Sequence, residues 1–357
     1  MTGRHAMTRD RSLTTPSRII PSKSDLQGSR MDIDSIRQTL IAFVENAMGV
    51  AVSKMEHKRD SIGFSRMIWT AEVIDRAGKS KDYIVRHDDG NGPFSLITTK
   101  SITHEGRLID ALFKSGLAVP EIFAISDDGA SLIMEKCGGI ADFNEAGTAK
   151  PALTRSFAAC LARLHATDSA VPTSATDGPA GLPGDLDEYR APYRQHCRPN
   201  SIIDAGIDWL RANKPGAPSK RVLVHGDAGP GNFMFDGDRF IALIDWEMAH
   251  PGDPMEDLAA IYFRTYIRGG GGDILDWYRP YIAASGQSYD AGGIEYFRFA
   301  QFCKAAMLAE LFRATASPVN EAIFAAPLKR VEASLRWAQG DTALLDEMGF
   351  PPIPVRL

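Results

Sequence analysis

The chain has 357 residues, 44% of them hydrophobic and 24% charged, which is ordinary for a globular protein and enough for one large core or two lobes. Its net charge of −5 is uneven: residues 1–30 carry six basic and two acidic side chains, which leaves the remainder at −9. That acidic body argues against a nucleic-acid partner; no apolar run reaches the roughly 18 residues of a spanning helix, which argues against a membrane; and Cys137, Cys160, Cys197 and Cys303 form no C-x-x-C pair, which points to reduced thiols in a cytoplasmic protein.

Residues 1–30 are rich in Ser, Thr and Arg and lack the apolar stretch of a secretory signal, so they read as a disordered leader before Met31. A helix capped by Asp32 or Asp34 follows to about Met48, with Ile33, Ile36, Leu40, Ile41 and Val44 at helical spacing. Three strand-like runs come next, Ala51–Lys58, Met67–Ile74 and Asp82–His87, the last two joined by the turn Asp75-Arg76-Ala77-Gly78-Lys79. A helix around Ser101–Ser115 and strands at Glu121–Ser126 and Ser131–Glu135 complete a β-β-β-α-β-β order. This order predicts an α+β lobe, an antiparallel sheet with one helix laid against it. After Gly138-Gly139 helical periodicity takes over, beginning with Leu153–His165. Residues 168–186 read as a long loop. Further helices are expected near 201–212, 254–266, 273–285, 293–315 and 320–338, interrupted by short strands at Arg221–Val224 and Phe240–Ile244. The boundary between the two parts falls near 136–140, giving a leader (1–30), a first lobe (31–137) and a larger, mainly helical second lobe (138–357).

The stretch with most chemistry is Val224-His225-Gly226-Asp227-Ala228-Gly229-Pro230-Gly231-Asn232, followed by Ala242-Leu243-Ile244-Asp245-Trp246-Glu247. Alone, Asp227 would be a turn former. With Asn232 five residues on and Asp245 thirteen beyond that, the set suits phosphoryl transfer. Asp227 would take the proton of an acceptor hydroxyl, while Asn232 and Asp245 offer the hard oxygens that hold magnesium. His225 has no matching His/Cys set and reads as a hydrogen-bonder fixing the loop. In Pro251-Gly252-Asp253-Pro254-Met255-Glu256-Asp257-Leu258, Asp253 is the N-cap of a helix, Pro254 its first residue and Glu256 a first-turn acid. Asp257 is placed to hold the catalytic loop through backbone N–H groups.

Together, H-G-D-x-x-x-x-N at His225–Asn232 and I-D-W-E…G-D-P-x-x-D-L-A at Ile244–Ala259 resemble the aminoglycoside phosphotransferase-like (choline kinase-type) family. The D-W-E form is similar to the branch that includes kinase domains of acyl-CoA dehydrogenase fusions. The close match spans about 35 residues, and the order of elements is compatible from roughly 32 to 340. The resemblance implies a two-lobed, protein-kinase-like fold, ATP (or GTP) as co-substrate and Mg²⁺ as cofactor. It implies Asp227 as the catalytic base and Asn232 and Asp245 as metal ligands. It also implies Arg86 as the nucleotide-binding cation, where kinases generally have lysine, with Glu105 as its ion-pair partner. The turn Ser61–Ser65 would cover the phosphates, Ser65 among its contacts, and Met134–Cys137 would be the hinge, with Glu135 and Cys137 offering groups to adenine.

The function this predicts is phosphorylation of a small-molecule hydroxyl. The acceptor would lie between the catalytic loop and the C-terminal helices, near Trp246, Glu247, Tyr262, Arg264 and the 293–315 helix. A catabolic hydroxy compound (a hydroxyacyl-CoA, an alcohol or a phenol) is favoured over an aminoglycoside. A nucleotide-binding pseudokinase and a metal-dependent hydrolase are the readings from other classes.

Overall fold

The computed structural model describes residues 33–58, 66–74, 78–90, 96–97, 101–167, 186–216, 221–268, 272–315 and 321–357. Helix α1 (Ile33–Met48) precedes strands β1 (Ala51–His57), β2 (Met67–Ile74) and β3 (Ser80–His87). Helix α2 (Ile102–Lys114) and strands β4 (Ile122–Ile125) and β5 (Ser131–Glu135) follow. Each expected element of this stretch forms, with ends moved by a residue or two. The leader, Asp32 and the turn residues Asp75–Ala77 lie outside the described residues.

The five strands make one antiparallel sheet in the order β1-β2-β3-β5-β4. Alternation in β2 buries Trp69, Ala71 and Val73 on one face, and the register sets Trp69 opposite Val85 and Ala71 opposite Tyr83 of β3. Consecutive Leu132 and Ile133 of β5 are both fully buried, so this inner strand is covered on both faces. Helix α2 starts at Ser101, whose hydroxyl accepts the His104 N–H at 3.2 Å, and buries Leu108, Ile109 and Leu112. A Cβ on Gly106 would stand 2.9 Å from the Ile125 side chain, so a glycine lets α2 approach the sheet. The same helix face carries the buried Glu105.

Beyond β5 the chain is mainly helical. A 3-10 segment at Phe143–Ala149 leads into α3 (Lys150–Ala166), α4 (Leu186–His196) and α5 (Ser201–Ala212). Strands β6 (Val222–Val224), β7 (Phe233–Asp236), β8 (Arg239–Leu243) and β9 (His250–Gly252) follow. Helices α6 (Pro254–Arg268), α7 (Leu275–Ser285), α8 (Ala291–Ala314), α9 (Glu321–Trp337) and α10 (Ala343–Glu347) end the chain. Strand β6 pairs with β9, and β7 with β8, both antiparallel. Of the loop expected over 168–186, residues 168–185 lie outside the described residues, and an unanticipated helix, α4, begins at Leu186. Its buried face, Leu186, Tyr189, Pro192 and Tyr193, is hidden in the sequence by the surrounding charges and by a proline inside the helix.

The segments flanking β4 and β5 meet the β7–β8 hairpin. Leu243 N–H donates to Ala118 O at 2.8 Å, and Ile140 and Phe235 exchange two backbone hydrogen bonds of 2.9 Å each. The chain divides into two units, Met1–Thr39 and Leu40–Leu357. The first contributes the first turns of α1, and the sheet, the helices from α2 onward and the site all lie in the second. No helix among the described residues is long and apolar enough to cross a membrane.

Candidate active site

Strand β6 is Val-Leu-Val, buried throughout, and it delivers His225-Gly226-Asp227 to the edge of the helical part. The helix that follows the site fixes this delivery. Asp253 opens α6 by accepting the Met255 N–H at 2.9 Å, and Glu256 reaches back to the Asp253 N–H at 2.9 Å, a reciprocal capping pair. One residue on, Asp257 is fully buried, and its two oxygens accept the backbone N–H groups of His225 and Gly226, both at 2.8 Å. His165 of α3 adds a third bond to Asp257 at 2.9 Å, and its other ring nitrogen meets the Tyr281 hydroxyl at 2.7 Å. Burial works to raise the Asp257 carboxyl, but the bonds from His165 and His225 outweigh it and hold the group below the ordinary carboxylate value.

Gly226 has a positive φ of 78°, and a Cβ there would stand 2.3 Å from the Met248 carbonyl oxygen. Only glycine therefore lets the loop after β6 lie against the segment after Asp245. His225 ties the same two segments, its Nε2 donating to the Ile244 carbonyl at 3.0 Å, and its ring packs on Trp246 at 4.6 Å. The Ile244 N–H in turn donates to the Asn232 carbonyl at 3.0 Å.

These clamps bring Asp227, Asn232 and Asp245 together. The Asn232 side-chain nitrogen donates to both the backbone carbonyl and the Oδ2 of Asp227, each at 2.8 Å. Because that carbonyl can only accept, the amide orientation is fixed and the Asn232 oxygen is turned away from Asp227. Asp245 sits at the tip of β8 with φ 69° and ψ 67°, the one non-glycine residue at positive φ among the described residues. Such a conformation costs on the order of 1–3 kcal/mol and marks a position the surroundings impose.

Arg86 faces this group from β3. It donates to Glu105 on α2 and to Glu247 at 3.1 Å, with Asp245 at 3.7 Å. Burial works against its charge, but Glu105, Asp245 and Glu247 outweigh it and raise its pKa above the ordinary arginine value. The pairing of Arg86 with Glu105 is therefore as expected, and Arg66, just ahead of β2, takes the other Glu105 oxygen. Nothing in the sequence singles out Arg66. Two arginines thus face three carboxylates, Glu105, Asp245 and Glu247. The pKa of Glu247 is raised by burial and then by Asp245, against the pull of Arg86. No cluster of three or more His, Cys, Asp or Glu side chains able to hold a metal ion occurs among the described residues; Asn232 and Asp245 offer hard oxygens of the kind that magnesium takes.

The acceptor-facing expectations need correction. Trp246 and Tyr262 are at most 1% exposed and belong to the core. Glu247 turns to Arg86. Arg264 of α6 contacts Asp227 itself, at 2.6 Å. From α8, Gln301 donates to the Gly226 carbonyl at 3.2 Å. Ser65 lies outside the described residues. Glu135 ends β5, with its N–H donated to the Glu121 carbonyl at 2.8 Å, and Cys137 follows two residues on. The Cys137 thiol is half-buried and pushed up to about 12 by burial and the Glu135 carboxylate, so it is neutral.

Known proteins bear this architecture. Acyl-CoA dehydrogenase family member 10 of Mus musculus is 27% identical over 188 residues, covering 48% of this chain and 17% of its own length. The chain thus spans less than a fifth of that relative. A crystal structure of a choline kinase from Streptococcus pneumoniae has 15% identity and a TM-score of 0.64, covering 85% of this chain and 99% of its own. An aminoglycoside phosphotransferase solved as a ternary complex with ADP and hygromycin B has 17% identity and a TM-score of 0.59, covering 85% and 100%. The fold is accordingly that of the choline and aminoglycoside kinases. The family model described as "Phosphotransferase enzyme family" (APH) matches residues 69–294, which take in Arg86, Glu105 and the whole segment from His225 to Arg264, and the chain belongs to that family.

Proposed function

We propose that the protein transfers the γ-phosphoryl group of ATP to the hydroxyl of a small, non-cationic catabolic compound, with Asp227 as base. The observation that carries this reading is the junction of Asp227, Asn232 and Asp245, held by side chains of the loop itself and of α6. In the reaction the acceptor O–H donates to Asp227. The acceptor oxygen bonds to the γ-phosphorus as the bond to the bridging β–γ oxygen breaks. ADP departs, and the proton passes from Asp227 to solvent. A positioned base of this kind is worth about 10²–10⁴ in rate. Asn232 and Asp245 would hold Mg²⁺, which neutralises developing phosphate charge. Arg86, oriented by Glu105, engages the nucleotide phosphates, with Ser65 and the backbone at Glu135 and Cys137 as further nucleotide contacts. Nucleotide binding thus falls to the chain up to Cys137 and acceptor binding to the chain after it. The ADP complex of a structural neighbour supports a nucleotide co-substrate.

The likeness to an enzyme crystallised with hygromycin B favours a second reading, an aminoglycoside acceptor. Arg264 lies 2.6 Å from Asp227 and its charge is paired there, so it does not weigh against that reading. The similarity to an acyl-CoA dehydrogenase relative favours hydroxyacyl-CoA thioesters. A screen of ADP release with Mg·ATP decides between them, using hydroxyacyl-CoAs, simple alcohols, phenols, choline and hygromycin B. A neutral or anionic acceptor should exceed hygromycin B by at least about tenfold in kcat/KM, the equivalent of ~1.4 kcal/mol. A preference for hygromycin B or choline would overturn the proposed acceptor class.

A further inference from the structure

We propose that Arg264 is a positioning residue of the phosphoryl-transfer site, locking one oxygen of Asp227 so that the other faces the acceptor. This rests on Asp227 being the base. Arg264 lies on α6, 37 residues beyond Asp227 in the chain, and its side chain is buried. Its Nη1 donates to Asp227 Oδ2 at 2.6 Å, and its Nε donates to the Pro230 carbonyl at 2.8 Å. One planar guanidinium therefore grips both the carboxylate and the backbone of the loop that carries it. Lysine has no such two-pronged geometry.

The loop is built around this group. A Cβ on Gly231 would stand 3.0 Å from Arg264 Nη2, and one on Gly229 would stand 3.4 Å from Arg264 Cβ and 3.1 Å from the Ile261 backbone. Glycine at both positions gives the loop room to fold over the arginine. The second bond to Asp227 Oδ2 comes from Asn232 at 2.8 Å. Both donors meet the same oxygen, so Oδ2 is held from two sides and Oδ1 is left for the hydroxyl. The carboxylate is thus set in one rotamer before substrate arrives, and orientation of this sort governs the rate of a transfer whose chemistry is otherwise light. Because α6 also carries Asp257, the helix holds the loop at its start, through the backbone at His225-Gly226 and the side chain of Asp227, and again at the Pro230 carbonyl.

The test uses the whole chain with Mg·ATP, following ADP release both with water as acceptor and with the preferred compound of the screen, and Mg·ADP binding in parallel. Arg264→Ala should lower kcat by about 10- to 100-fold, the range a misplaced catalytic group produces. Its Mg·ADP affinity and the acceptor KM should stay within about twofold, well under one 1.4 kcal/mol step. Guanidinium ion at millimolar concentration should restore part of the lost rate in Arg264→Ala and none in Arg264→Lys, which keeps the charge without the fork. A crystal structure of either variant should show the Asp227 carboxylate turned from its present orientation. An unmoved carboxylate, an undiminished kcat, or a rise in acceptor KM at constant kcat would overturn the assignment, the last making Arg264 an acceptor-binding group. Asp227→Asn assayed beside it reports on the base itself. If that variant is dead and Arg264→Ala is fully active, only the present inference fails.

Discussion

Arg86 is the residue that joins the sheet to the candidate site, because it touches Glu105 on one side and the Asp245–Glu247 pair on the other. The resemblance to the kinase family, which implies a cation in the third strand and an acid on the helix after it, made the pairing legible. Its approach to Glu247, 161 residues away, was not legible, since no local pattern records which distant carboxylate a buried guanidinium will meet. Arg66 was missed for the same reason. Replacing Arg86 by alanine should raise the nucleotide KM by about tenfold or more, the scale of one lost charge-assisted contact of ~1.5–3 kcal/mol, and should change kcat less. Steady-state kinetics with varied ATP checks this, and an unaltered nucleotide KM would remove Arg86 from nucleotide binding.

At the scale of elements, helix α6 organises the site. Asp253 as N-cap and Glu256 as a first-turn acid were readable from the D-P-M-E order, and a hold of Asp257 on the loop was expected with them, whereas the reciprocal bond from Glu256 to the Asp253 N–H was not. Helix α4 and strand β7 were not readable. Pro192 breaks the helical pattern of the one, and the other is four residues between the two motif segments, too short to show an alternation. Asp257→Asn should destabilise the fold by about 1–3 kcal/mol, since an amide N–H₂ would face buried backbone donors that now meet oxygen. The pH dependence follows from the lowered Asp257 pKa. The ionised form binds its donors only when folded, so the stability it adds is present above the ordinary carboxylate value near 3.8 and is lost as pH falls through and below it. Thermal unfolding from neutral to acid pH should show this loss in the native chain and less of it in Asp257→Asn. Parallel curves for the two would contradict it.

In the whole molecule, an antiparallel sheet with its buried Arg86–Glu105 pair is joined to a helical part whose loops carry Asp227, Asn232 and Asp245. The joints are the bonds from Leu243 to Ala118 and between Ile140 and Phe235. The order of elements and the H-G-D-x-x-x-x-N and I-D-W-E segments were enough to anticipate both parts, because each is built mainly from local patterns. The acceptor surroundings were anticipated poorly. Trp246 and Tyr262 turned out to be core, as amphipathic aromatics often are, and Arg264 is bound to Asp227. The claim that Asp227 is the base is tested most directly by Asp227→Asn, with acceptor-dependent ADP release and Mg·ADP affinity measured on the same preparation. The account predicts transfer reduced by about 10²–10⁴ with nucleotide affinity nearly intact; transfer retained within a few-fold of the native rate would contradict it.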